Sequence, residues 1–180
     1  MDSEAVLGFW FSDPVRRHWF RSTPALDLEI RERFQPLWRL AGEGGLGTWE
    51  RDPRGALALV ILLDQFPLNM FRGQPESFAT ETLSRGVAER AIAAALDRDL
   101  DEEGKMFLYL PFMHSEDKGD QDRSVDLFQA AGLAENLKWA RHHREIVYRF
   151  GRFPHRNAIL GRRSTPEELA WLDSAEGFRG

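Results

Sequence analysis

Cysteine is absent from this 180-residue chain. That absence excludes a disulfide framework, a zinc site built on thiolates and a cysteine nucleophile, and it fits a reducing compartment. Long apolar runs are missing too. The longest, Ala56 to Leu63, stops at Asp64 after eight residues, far short of the roughly 20 that a membrane span requires. The opening residues, MDSEAVLGFWFSD, carry no basic region ahead of their apolar stretch and do not read as a secretory signal. A soluble, cytoplasmic protein with no membrane partner is expected. Strand patterning is lacking, because no sustained alternation is flanked by hairpin turns. No repeat of solenoid length and no low-complexity tract is visible. An excess of positive charge is lacking as well: the formal net charge is −5, which argues against nucleic acid as a partner.

What remains is helical patterning with ample core material, 42% hydrophobic residues and six tryptophans. The expectation is all-α: one domain spanning residues 1–180, an array of about eight helices. The first runs from Ser3 to Phe11. The second, Pro24 to Ala41, places Leu26, Ile30, Phe34, Leu37 and Leu40 at helical spacing, with Pro36 as a bend. Asp52-Pro53 pairs an N-cap with proline at the first helical position and starts a third helix reaching about Gln65. Ser77–Leu96, Asp101–Met113, Asp120–Ala131 and Ala134–Phe150 follow, the last stopped by Gly151. Thr165-Pro166-Glu167-Glu168 opens a final short helix through Leu172.

Charge is placed unevenly. Asp97 to Asp126 holds ten acids against four Lys and Arg, and Lys138 to Arg163 holds eight Lys and Arg against one acid. Two readings follow: the segments pair inside the fold, or the basic one offers an anion site. The apolar stretches also end in polar groups. ALALVILL is apolar on all sides and runs into Asp64 and Gln65, where an unpaired carboxylate would be costly. MFLYLPFM runs into His114-Ser115-Glu116-Asp117, with Gln121 within two turns. In the seventh helix His143 shares a stripe with Trp139, Ile146 and Phe150. Beyond Gly151 come Arg152, His155, Arg156, Asn157 and Arg162. Each of the three segments adjoins a proline–aromatic element: Phe66-Pro67, Pro111-Phe112 and Phe153-Pro154. The simplest arrangement brings the three together so that each supplies partners for the others, with Phe153, Ile159 and Leu160 anchoring the last stretch.

The motifs LLDQFPLNMFRG (62–73), FLYLPFMHSEDKGDQDRSV (107–125) and HREIVYRFGRFPHRNAILGR (143–162) resemble the bacterial domain-of-unknown-function 924 family, as do VLGFWF and DPRGALALV. The resemblance spans nearly the whole chain and implies a tetratricopeptide-like helical fold without an established activity. On those motifs lie Asp64, Gln65, Asn69 and Arg72; His114, Ser115, Glu116, Asp117 and Gln121; and His143, Arg152, His155, Arg156 and Asn157. The chain departs from the family pattern at Leu68, which stands where a basic residue is usual, and at Lys118, which replaces an apolar one.

Three functions suit these residues. The first is a polar pocket for a small anionic ligand, binding or enzymatic. Asp64, Gln65, Asn69, Arg72, Gln121, Arg152, Arg156 and Asn157 would form it, the guanidinium groups holding a carboxylate or phosphate. His114, His143 or His155 would serve as acid or base, with Asp64 or Glu116 setting tautomer and pKa. The second is metal-assisted hydrolysis through His114, Glu116, Asp117, His143 and His155, although no HExxH-like spacing is present. The third is an interaction module for a peptide or protein partner, in which the polar motifs are structural. No cofactor is indicated.

Overall fold

The computed structural model describes residues 1–175 and 177. Among them every regular element is helical. The chain packs as two compact units: Met1–Arg72 with Glu76–Pro111, and Gly73–Pro75 with Phe112 onward.

The first unit is organised by α4, Pro53–Val60. Asp52 caps it by accepting from the Gly55 N–H at 2.9 Å, and Pro53 occupies a first-turn position where no N–H is needed. Position 55 requires glycine, since a Cβ there would stand 2.1 Å from the Trp49 carbonyl oxygen. All of Gly55 to Val60 is buried, as an all-apolar helix requires. α1 (Ser3–Trp10) and α6 (Glu81–Ala93) pack against it, the short α2 (Asp13–Arg16) lies on α1, and α3 (Pro24–Gly42) packs on α5 (Phe66–Met70). Rings fill the space between them. Phe34 and Phe66 lie 4.7 Å apart, Phe9 and Phe34 5.0 Å, and Trp10 and Phe66 5.5 Å.

The helix starting at Pro53 does not end at Gln65 as its sequence suggests. It widens into a π turn over Ile61–Gln65 and continues as α5. Pro67 explains the change: with no N–H, it cannot close the ladder onto the preceding turn. The Leu63 carbonyl accepts instead from Thr80 Oγ1 at 2.6 Å, and Thr80 Oγ1 in turn accepts from the Trp38 indole at 3.0 Å. Thr80→Val keeps the shape and deletes both bonds. It is expected to lower stability by about 1–3 kcal/mol in urea unfolding.

α3 runs through Pro36, and Leu40 is exposed, with the buried stripe ending on Ala41 instead. The helix expected from Ser77 begins later, as α6, behind a 3-10 turn at Pro75–Phe78. α7, Glu102–Met113, continues two residues past Pro111.

The second unit holds α8 (Lys118–Ala130), α9 (Ala134–Phe150) and α10 (Pro166–Leu172). α8 and α9 are joined by a short turn at Gly132 and pack along each other. α9 stops at Gly151, whose φ of 72° lies in the left-handed region. Ile146 and Val147 of α9, Phe153 beyond Gly151 and Trp171 of α10 form a core. α10 carries the expected capping box between Thr165 and Glu168. No helix among the described residues is long and apolar enough to cross a membrane.

Candidate functional site

The first motif lies in the first unit. Asp64 and Gln65 sit on the π turn and are buried, with Gln65 Nε2 donating to Asp64 Oδ2 at 2.6 Å. π turns recur at functional sites. Asn69 and Arg72 turn away to Asp27, in the first turn of α3. Asn69 Nδ2 donates to Asp27 at 2.7 Å, Arg72 Nε donates at 2.8 Å, and Ser22 Oγ donates at 2.7 Å. Burial pulls the Asp27 carboxyl upward, but the bonds from Arg72, Asn69 and Ser22 outweigh it and hold the group below the usual carboxylate range. Asp27 gave no sequence signal beyond an acid in a first helical turn, which the helix dipole already explains.

The second and third motifs meet in the second unit. After α7 the chain makes a tight turn through His114, Ser115 and Glu116. Gln121, fully buried on α8, donates through Nε2 to the carbonyls of Met113 at 2.7 Å and Ser115 at 2.6 Å. Asp117 caps α8. The turn is thereby latched from behind, and Glu116 reaches the stretch beyond α9. Its carboxylate accepts from the Phe153 N–H at 2.7 Å and from both terminal nitrogens of Arg162 at 2.6 and 2.8 Å. Burial raises the Glu116 pKa, and Arg162 together with the Phe153 N–H brings the net value below normal.

From Arg162 a chain of bonds continues. Arg162 Nε donates to Asn157 Oδ1 at 3.0 Å, and Asn157 Nδ2 donates to Glu168 at 3.2 Å. Arg152 donates to both oxygens of Glu168 at 2.7 and 2.9 Å and to the Arg163 carbonyl at 2.9 Å. Glu168, pushed down to about 2 chiefly by Arg152, also accepts from the Thr165 N–H as part of the capping box. The acidic and basic segments thus pair in part, through Glu116–Arg162 and Asp122–Arg144. Asn157 is fully buried, and the donors of Arg152 face Glu168 and a carbonyl rather than an open site. Glu168 was missed because its position in a capping box already accounts for it.

Around the fully buried Phe153 ring stand three other side chains of these motifs. His143 lies edge-on at 5.6 Å, His155 tilted at 5.6 Å, and the Arg156 guanidinium carbon 4.8 Å from the ring centre. Ile159 and Leu160 are half-buried. His143 Nδ1 lies 2.8 Å from the Trp139 carbonyl, which assigns its proton to Nδ1 and leaves Nε2 as the acceptor nitrogen. Burial pushes His143 down to about 3, against that carbonyl, with His114, His142 and His155 adding to the fall. Burial and then Arg156 push His155 down to about 4, opposed by Glu116. His114 is close enough to disfavour a proton on either. His143 is buried, whereas His114 and His155 are only half-buried.

Neither of two hollows on the second unit is lined by this histidine group. One, of about 760 Å³, follows the outer face of α9; the other, of about 460 Å³, lies between Arg163 and Leu169. Among the described residues no three His, Asp or Glu side chains are arranged to hold a metal ion.

The family model described as "Bacterial protein of unknown function (DUF924)" matches residues 6–176. No curated protein matches. Among solved structures, a protein of unknown function from Agrobacterium tumefaciens is similar, with 41% identity and a TM-score of 0.90 over 95% of this chain and 96% of its own.

Proposed function

We propose that this chain, which belongs to the DUF924 family of bacterial proteins of unknown function, binds a small anion at the group formed by His114, His143, His155 and Arg156, and takes up a proton as it does so. One observation carries the reading: two imidazoles, His143 and His155, and one guanidinium, Arg156, surround the Phe153 ring, His114 of the other motif is near enough to both imidazoles to disfavour a proton on them, and both are held neutral at pH 7. Strongly shifted titrating groups gathered in one place mark candidate sites. Neutral imidazoles beside a guanidinium suit a carboxylate or phosphate, because the arriving negative charge reverses the balance that keeps protons off. Half-buried His155 and His114 form the approachable side, and His155 is positioned to gain the proton. Glu116 and Arg152 act as positioning residues: Glu116 ties the His114 turn to Phe153, and Arg152 ties the same stretch to α10. Asp64, Gln65, Asn69, Arg72 and Gln121 have no assigned ligand contact in this proposal.

The test is NMR titration of the histidine ring protons with inorganic phosphate and with acetate. The His155 midpoint is expected to rise from about 4 toward its ordinary value as the anion saturates. His155→Gln and Arg156→Gln should weaken binding by roughly tenfold or more. Histidine resonances unmoved by either anion in the folded protein would reduce the group to a structural role.

A further inference from the structure

α9 has a second face, separate from the histidine group. Its inner side buries Ala140, His143, Ile146 and Val147. Its outer side borders the open hollow of about 760 Å³, where Leu137, Lys138, Trp139, Arg141, His142 and Glu145 stand together. Trp139 is 47% exposed, unusual for the largest apolar side chain and characteristic of binding surfaces, where Trp and Arg anchor partners.

The charges here differ from those on the rest of the segment. Arg144 pairs with Asp122, Arg149 with Glu167, Arg152 with Glu168 and Arg162 with Glu116. Lys138 and Arg141, one turn apart at the hollow, pair with no carboxylate among the described residues; Arg141 makes only a long 3.4 Å bond to Gln129. Among the described residues Glu145 is the acid that shares the hollow with them, and Ala175 and Gly177 also line it. Two of the basic side chains left over from internal pairing thus stand beside an exposed tryptophan, while Arg163 borders the other hollow.

We infer that this face of α9 is a docking groove for an acidic peptide segment carrying an apolar side chain, supplied by a partner protein. The apolar side chain covers Trp139 and Leu137, and flanking carboxylates meet Lys138 and Arg141. A hollow open along a helix suits an extended segment, and complementary charge sets both the partner's sign and its approach rate. Contacts to such rim charges also make the binding sensitive to salt.

The test uses the full chain and an array of short fluorescein-labelled peptides, each with a central Phe, Leu or Trp flanked either by Asp and Glu or by Asn and Gln. Anisotropy should show saturable binding of acidic members that weakens with added salt. Lys138→Glu with Arg141→Glu should weaken it about tenfold or more. Trp139→Ala should do the same in a chain that still unfolds cooperatively, since its carbonyl bond to His143 is retained. The proposal is overturned if no acidic member binds, if the neutral peptides bind as well, or if the charge-reversed protein binds unchanged. It is equally overturned if sedimentation shows a dimer abolished by the same charge reversal, which would give the groove to a second copy of the chain.

Discussion

Acidification from pH 7 to pH 4 is expected to remove about 6 kcal/mol of folding stability. The cause is His143 and His155, held in the folded chain at about 3 and about 4. In the unfolded chain both titrate near 6.5. Between 6.5 and those depressed values the unfolded state binds more protons, so stability rises with pH across this window and falls on acidification. Each histidine contributes a slope of about 1.4 kcal/mol per pH unit where only the unfolded form is protonated. The carboxylates act later. Asp27, Glu116 and Glu168 are all lowered, Glu168 to about 2. Their stabilisation is complete above the unfolded carboxylate value and is lost only as pH falls through the folded one, so their effect sets in below about pH 4.5. Urea unfolding at half-unit intervals measures the whole curve. His155→Gln should remove about half the slope between pH 6 and 5. A flat profile from pH 7 to 5 would show that the two imidazoles charge freely in the folded protein.

Glu116→Gln is expected to cost about 2–4 kcal/mol. The substitution keeps one oxygen for the Phe153 N–H but leaves Arg162 facing an amide. Both members of the ion pair are about a quarter exposed, so water recovers part of the loss and the figure falls below that of a fully buried pair. Glu116→Ala should cost more, because the Phe153 N–H then also loses its acceptor. Arg162→Met removes the other partner, and thermal unfolding of the two single variants and the double variant closes a cycle. A coupling above about 1 kcal/mol is expected. Strictly additive losses would mean that Glu116 stabilises the stretch through Phe153 alone.

Local chemistry was legible in the sequence wherever one short segment contained both halves of an interaction. Asp52-Pro53, the Thr165–Glu168 box and Gly151 stand where they were expected. His143 and Ile146 face inward as the stripe on α9 implies, but Trp139, placed on the same stripe, is 47% exposed. The meeting of the second and third motifs through Glu116 and Phe153 spans 37 residues and followed from the need of each polar end for a partner, not from a local pattern. The misreadings share a physical origin. Pro67 looks like a stop, yet one threonine hydroxyl from residue 80 satisfies the carbonyl it leaves open, and the helix carries on. Glu168 looked fully explained by its capping box, but a carboxylate has lone pairs left after capping, and Arg152 uses them from a distant position; Asp27, an acid in a first helical turn with no capping bond, is likewise taken by Arg72 from far along the chain. Arg152, an anion-binding candidate by composition, is matched to an acid that lies 16 residues away. Spacing within a segment carries no record of such matches.

Glu168 serves three neighbours with two oxygens: the start of its own helix, Arg152 and Asn157. α10 therefore cannot fray from its first turn while the loop from Gly151 to Ser164 stays closed. In amide-exchange terms the two should open and reclose as one cooperative element. Any event that loosened the chain after Leu172 would then be felt at His155, well before α8 and the body of α9 gave way.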